Sequence, residues 1–226
     1  MPGNSDMNFA DMTLDELRIA LAPEIAASAI FDGWNDTALE AAAEMAGADV
    51  DVARLAFKGG AMDMIAAWVE GVDAAMIAAF PPERIEAMKI RERIRALVAF
   101  RLEAIGGLEE ALRNARSIMA MPQNAPQSMQ MGWHSADVMW RLAGDTATDY
   151  NHYTKRAILA GIYAATLAVF VDDDSPDKAK THEFLDRRID GVMKFEKAKA
   201  KLLGAGADRE HFSLTRFLGR LRYPGN

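Results

Sequence analysis

Six apolar residues between Ala61 and Phe80 constrain this chain more than any other feature. Ile65, Trp68, Val69, Val72, Met76 and Phe80 recur three or four positions apart, which puts them on one face of a helix. Pro81-Pro82 removes two backbone donors and stops that helix. The same period continues downstream. It predicts a helix from about Glu83 to Ile105 with Met88, Ile94, Leu97, Val98 and Leu102 mostly inward, closed by Gly106-Gly107, and a shorter helix to about Met121. A polar loop is expected over Pro122 to Pro126, followed by helices over about Ser128 to Leu142, Asp149 to Val171 and Asp177 to Leu203. No segment alternates as a strand does. The expected fold class is all-α, with about ten helices.

The first sixty residues read as shorter helices. Thr13-x-x-Glu16 is a capping-box pattern, and Pro23 suggests a break between Leu21 and Glu24. Gly33 closes the next helix, Thr37-x-x-Glu40 repeats the capping pattern, and Gly47 ends it. Asp49 caps a third helix to Phe57, and Gly59-Gly60 separates it from the long one. Three short helices followed by long ones resemble the plan of the TetR regulators: a three-helix helix-turn-helix head and a larger ligand-binding helical body. The expected domains are a head over 1–60, a lipid-binding and dimerisation body over 61–206, and a C-terminal helix over 207–226.

Charge argues against the head holding DNA. Residues 1–60 carry eleven acids against Arg18, Arg54 and Lys58, a net of −8. The candidate recognition helix, Asp49 to Phe57, offers one base and two acids, where a reader of duplex DNA needs cations near phosphates. Residues 187–226 are the opposite, with ten bases and four acids. The chain has no cysteine, which excludes thiolate chemistry and disulfides. The longest apolar or small run, Ala157 to Val171, is 15 residues. A bilayer needs roughly 20, so the run reads as a buried helix. With no basic, apolar leader pattern at its start, the chain is expected to be cytoplasmic and bacterial in type, without a transit peptide.

Catalytic motifs are missing. Asp149-x-x-His152 and His134-x-x-Asp137 each put two ligand-type residues on one helical face, but the further Glu and His ligands of a carboxylate-bridged di-metal bundle are absent. There is no nucleophile elbow, phosphate loop or His-Glu-x-x-His. No catalytic residue, metal or cofactor is expected, and the chain reads as non-enzymatic.

A more specific likeness runs from Met131 to Met193. The stretch Ser135-Ala136-Asp137-Val138-Met139-Trp140-Arg141-Leu142-Ala143-Gly144-Asp145 continues through Thr148-Asp149-Tyr150-Asn151-His152-Tyr153-Thr154-Lys155-Arg156 and on to Tyr163. Asp174-Ser175-Pro176-Asp177, Phe184 to Ile189, and Ala29 to Trp34 in the head extend it. This chain resembles the COQ9 family, the lipid-binding accessory proteins of ubiquinone synthesis. The resemblance implies a TetR-like homodimer that binds an isoprenoid or quinone lipid and serves a demethoxyubiquinone hydroxylase-like enzyme at a membrane. It implies a docking patch at Asp137, Met139, Leu142, His152 and Tyr153. The family often has Trp-Tyr where this chain has His152-Tyr153.

By residue type alone, Ala157, Ala160, Gly161, Ala164 and Ala165 either open a cavity or let helices pack closely. The resemblance points to the cavity. Its expected lining is Ile65, Val69, Leu97, Val98, Leu102, Leu159, Ile162, Tyr163, Thr166, Ile189 and Met193. In the last segment Leu214, Phe217, Leu218 and Leu221 share a helical face, with Arg216 and Arg220 largely off it. A basic amphipathic helix suits an anionic membrane or the protein's own body. The resemblance favours the membrane, with peripheral association at the inner membrane. A ligand-responsive transcription regulator and a purely structural subunit are the other readings.

Overall fold

The computed structural model describes residues 9–146 and 150–207. Among them are ten α-helices and no strand: α1 Leu14–Asp32, α2 Asp36–Ala46, α3 Val50–Ala56, α4 Ala61–Ala79, α5 Pro82–Glu86, α6 Ile90–Ala104, α7 Glu109–Met119, α8 Ala125–Leu142, α9 Tyr150–Val171 and α10 Ala179–Ala207. The chain divides into two compact units, with the boundary between Leu185 and Asp186 inside α10. No division falls at residue 60. α1 packs on α4 and α7 as well as on α2 and α3, so head and body share one core.

Pro23 does not break the first helix. Leu17, Leu21, Ile25 and Ala29 lie on one buried face that spans it, and Pro23 itself points outward. One lost backbone bond on the exposed side costs less than unburying that face. The capping box at Thr13 forms, with Thr13 N donating to Glu16 Oε2 at 2.9 Å and Glu16 N to Thr13 Oγ1 at 3.3 Å. The second cap is two residues earlier than Thr37-x-x-Glu40 suggests. Asn35 Oδ1 accepts from Thr37 N at 2.9 Å and Ala38 N at 3.2 Å. Asn35 follows Trp34, whose buried indole N–H donates to Ala111 O on α7 at 2.8 Å and so fixes the entry to α2. Asp49 caps α3 as expected.

The helix expected over 83–105 is two. Pro82 opens a short α5, the chain turns at Ala87–Lys89, and α6 begins at Ile90. Arg93 explains the break. Its guanidinium donates to the carbonyls of Glu86, Met88 and Ala143 at 3.1, 2.8 and 2.8 Å, groups that a continuous helix would pair elsewhere or that the start of the next loop would leave open. The loop expected over 122–126 is largely helical. Pro122–Asn124 is a 3-10 turn, and α8 starts at Ala125 with Pro126 in its first turn, where no backbone donor is needed. α10 runs on through Gly204 to Ala207, beyond the expected end at Leu203.

α9 packs against α6, α7 and α8. Its His152–Val171 stretch is long and apolar enough to cross a bilayer by composition, beyond the 15 residues of the apolar run, and 33% of the window is buried. The two charges in that stretch, Lys155 and Arg156, are both paired: Lys155 Nζ to Asp145 at 2.6 Å, Arg156 to Asp137 at 2.5 Å and to Asp145 at 3.1 Å. Gly144 precedes this network with φ +88°, in the left-handed region that favours glycine. A Cβ there would also meet Arg93 Nη1 at 3.0 Å. The Gly144-Asp145 and Lys155-Arg156 blocks thus hold α8 to α9.

Candidate functional site

Five helices of the first unit line a partly open cavity of about 200 Å³. α4 contributes Ile65, Trp68, Val69 and Val72 at its helical spacing, and α6 contributes Arg101 and Ile105. α7 supplies Leu112, Ala115, Arg116 and Met119. α8 and α9 approach with small residues: Ser128, Gly132 and Ser135 from one, Ala160 and Ala164 beside Tyr163 and Leu167 from the other. Space exists where Gly132, Ala160 and Ala164 face walls built of Trp68 and Tyr163. Of the small residues of α9, Ala160 and Ala164 line the cavity, while Ala157 and Gly161 are exposed.

The wall is mostly apolar, with Arg116 and Ser128 on it and one buried polar cluster. Arg101 Nη1 pairs with Asp73 Oδ1 of α4, Nη2 donates to Ser135 Oγ at 3.2 Å, and Ser135 Oγ donates to Asp73 Oδ2 at 3.0 Å. The guanidinium carbon lies 4.8 Å from the centroid of the Tyr163 ring. Arg101 Nε has no hydrogen-bond partner among the described residues. Burial works against the Arg101 cation, but the Tyr163 phenol and the Asp73 carboxylate outweigh it and hold the group firmly protonated.

Of the expected lining, Ile65, Val69 and Tyr163 line this cavity. Leu97, Val98, Leu102, Leu159 and Thr166 are instead buried in helix packing, and Thr166 Oγ1 returns its hydrogen bond to Ile162 O at 2.8 Å. Ile162 is half-buried outside the lining. Ile189 and Met193 belong to the second unit, and the Met193 side chain lies outside the described residues. The periodicity missed Trp68, Arg101 and Ser135 as cavity residues. A signal was present: Asp73 and Arg101 are charges at inward positions, four residues from Val69 and Leu97.

The expected docking residues scatter. Met139 is 0% exposed and belongs to the core, so no partner touches it on this surface. Asp137 is turned to Arg156 and to Arg141, the latter at 2.7 Å. Leu142 and His152 are half-buried. Tyr153 is 61% exposed, with its ring centroid 5.0 Å from His152 and 6.0 Å from Trp133 of α8. Trp133, absent from the expected set, places a tryptophan beside Tyr153 across the helix pair. The exposed Met129 lies one turn before it on α8.

In the head, the lone base of α3 is occupied. Arg54 donates to Glu40 and Asp51, each at 2.8 Å. Arg18 donates to Ala56 O at 3.2 Å and faces Asp63 at 3.6 Å. Val52 and Leu55 are exposed on α3 instead of polar base-reading groups. Among the described residues no three His, Asp or Glu side chains cluster as metal ligands. His134 is exposed, and Asp149 lies outside the described residues. The expected membrane-facing residues Leu214, Arg216, Phe217, Leu218, Arg220 and Leu221 also lie outside them.

This helical arrangement is the fold of the TetR regulators. The crystal structure of the TetR transcriptional regulator from Nitrosomonas europaea ATCC 19718 superposes with a TM-score of 0.62 at 19% identity, covering 77% of this chain and 96% of that one, a likeness of fold alone. Within that class the resemblance is to one family: residues 125–196, which are α8, α9 and more than half of α10, match the COQ9 family. The ubiquinone biosynthesis protein COQ9, mitochondrial, of Rattus norvegicus is 43% identical over 108 residues, 48% of this chain and 35% of that protein. The proteins of that name from Homo sapiens and Drosophila melanogaster are 39% and 32% identical, covering 48% and 42% of this chain and 34% and 29% of their own lengths. The matched region thus spans about a third of these curated relatives, and none of their names is catalytic. The expectation of a bacterial-type cytoplasmic protein is overturned: these relatives are named mitochondrial.

Proposed function

We propose that this chain is a non-catalytic lipid-binding protein of ubiquinone biosynthesis, which holds a polyprenyl quinone intermediate and presents it to a membrane-associated hydroxylase. The cavity of about 200 Å³ among α4 and α6–α9 carries the reading, because two of its walls, α8 and α9, come from the segment shared with the COQ9 proteins. Its wall is mostly apolar, as a lipid site requires. The exposed Tyr153 beside Trp133 supports docking of the hydroxylase, since partly exposed aromatics with an apolar body and a polar tip are frequent interface anchors. The outer face of α9 supports a homodimer: Ala157 and Gly161 are exposed there beside half-buried Ile158, Ile162 and Ala165, an apolar strip narrow enough for close helix pairing. Organic extraction of purified protein followed by mass spectrometry tests the lipid. Co-purified isoprenoid or quinone is the expected result. Protein that carries no lipid and binds none when offered overturns the reading.

The TetR-like fold favours a second reading, a ligand-responsive transcription regulator. The pairing of Arg54 and Arg18 with carboxylates speaks against it, because a head of this charge repels duplex DNA. Anisotropy with labelled duplex at low salt separates the two. Salt-dependent duplex binding would replace the first reading with the second.

A further inference from the structure

We propose that the corner between α7 and α8, residues 117–133, seats on an anionic phospholipid surface, with its exposed methionines in the interface and Arg116 on a lipid phosphate. Charge singles out the corner first. From Ser117 to Trp133 the chain carries no acidic, basic or histidine side chain over 17 residues, its longest such run. In a chain of which 26% of residues are charged, a solvated surface would interrupt such a run. The next longest, Ala157 to Val171, belongs to α9 and packs against three helices. The corner faces outward instead. Met129 and Met121 are 76% and 42% exposed, and Pro122 and Pro126 are exposed between them. Its exposed amides, Gln123, Gln127 and Gln130, are neutral. An exposed apolar patch of this kind marks a contact with membrane or protein.

Backbone chemistry selects the membrane. A surface that enters a bilayer must satisfy its own backbone, because acyl chains offer no hydrogen bonds. The corner does so with its few polar groups. Asn124 Nδ2 donates to Ile118 O at 2.8 Å, and Ser128 Oγ lies 2.9 Å from both Met119 O and Asn124 O. Met121 N donates to Ile118 O at 3.1 Å, and Asn124 N to Met121 O at 2.9 Å. Protein interfaces centre on aromatic anchors, and none of the corner's exposed residues is aromatic. Arg116 then sets the sign of the surface. It is half-buried near the end of α7 and lines the partly open cavity with Met119 and Ser128. Its guanidinium has no ion pair or hydrogen bond among the described residues, whereas Arg113, one turn earlier, is paired with Glu110 and Asp172. A long basic side chain lays its stem on apolar surface and offers its head to a phosphate. This surface does not depend on what the cavity holds.

The test uses the full chain, whose lack of cysteine makes an introduced thiol unique. Met129→Cys and, as control, Phe31→Cys at an 88% exposed site of α1 each carry the environment-sensitive fluorophore nitrobenzoxadiazole. Vesicles of phosphatidylcholine and phosphatidylglycerol in equal parts are added, with and without nitroxide-labelled acyl chains. The label at 129 is expected to brighten, shift to shorter wavelength and be quenched by the nitroxide, while the label at 31 does none of these. Met121→Asp/Met129→Asp is expected to weaken partitioning onto these vesicles at least about tenfold, the scale of unburying one large apolar side chain. Arg116→Gln is expected to weaken it about fivefold, and not on phosphatidylcholine alone, the scale of one cation at an acidic surface. A label at 129 that stays in water while the protein is vesicle-bound, equal responses at 31 and 129, or full partitioning of the folded double variant each overturn the proposal. A response of the label at 129 to a demethoxyubiquinone hydroxylase-like enzyme without vesicles, and none to vesicles, overturns it too and makes the corner a protein contact.

Discussion

Asp145, in the loop after α8, closes on Arg156, in the second turn of α9, through a 3.1 Å ion pair whose side chains are 5% and 2% exposed. The same guanidinium holds Asp137 at 2.5 Å, and Lys155 holds the other oxygen of Asp145 at 2.6 Å. A signature block that reads as functional in the sequence is here the clasp of two helices. Removing Arg156 takes the buried partner from two carboxylates, leaving Asp145 to the half-exposed Lys155 and Asp137 to the exposed Arg141. Arg156→Met is expected to cost about 3–5 kcal/mol by urea denaturation. Lys155→Met, at a group 40% exposed, is expected to cost less than about 1 kcal/mol. Equal losses in the two variants would show that the network is not organised around Arg156.

The Asp73–Arg101 pair predicts a non-additive result. Asp73→Leu alone leaves the buried guanidinium with Ser135 and Tyr163 and is expected to destabilise by about 3–5 kcal/mol. The double variant Asp73→Leu/Arg101→Met is expected to recover most of that loss, since no buried charge remains. Thermal melts of the three proteins measure the coupling. Additive losses would mean that the pair is not desolvated as the structure has it.

Acid stability depends on Asp173. Burial pushes its carboxyl up, but hydrogen bonds from the Ser175 and Thr181 backbone N–H and hydroxyl groups outweigh this and hold it well below the usual carboxylate range. A pKa depressed in the folded state contributes stability that is full above the unfolded value of about 4 and is lost as pH falls below it. Asp173→Asn lacks that contribution. The stability gap between wild type and Asp173→Asn, measured by denaturation at pH 7, 4 and 3, is therefore expected to hold between pH 7 and about 5 and to narrow below 4. A gap that widens on acidification would reverse the sign argued here.

Tyr153 and Trp133 separate docking from folding. Tyr153→Ala at an exposed site is expected to shift stability by less than about 1 kcal/mol and to weaken binding of a demethoxyubiquinone hydroxylase-like partner by about thirtyfold, the scale of one interface hot spot. Surface plasmon resonance with that enzyme checks it. Unchanged affinity in Tyr153→Ala and Trp133→Ala alike would remove this face from the interface.

The basic last segment predicts membrane contact. Deleting residues 208–226 is expected to abolish flotation with anionic vesicles and to leave neutral vesicles unaffected, because its arginines supply the attraction. Equal flotation of the full and shortened chains would assign membrane contact elsewhere.

Most helices, and the class of fold, were legible in the residues. Apolar side chains at helical spacing must bury one face, and Gly47 and Asp49 mark ends through local backbone chemistry. Pro23 and the 83–105 segment misled for one reason. A helix break depends on what the flanking faces bury and on which distant group takes the freed carbonyls, as Arg93 does for Glu86, Met88 and Ala143. Spacing could place Ile65, Val69 and Tyr163 inward, but inward positions include both core and cavity wall. Leu97, Val98 and Met139 went to the core.

By itself the sequence determined an all-helical chain with an acidic head, a basic tail and a COQ9-like segment, because periodicity, caps and net charge are local quantities. Tertiary structure alone decided where space remains. The cavity lies where small residues of α8 and α9, Gly132 and Ala160, come together with the large side chains of Trp68 on α4 and Tyr163 on α9. It decided also that Arg101 lies at the cavity wall with Nε unpartnered among the described residues, since the partners of a buried charge come from helices far apart in the chain.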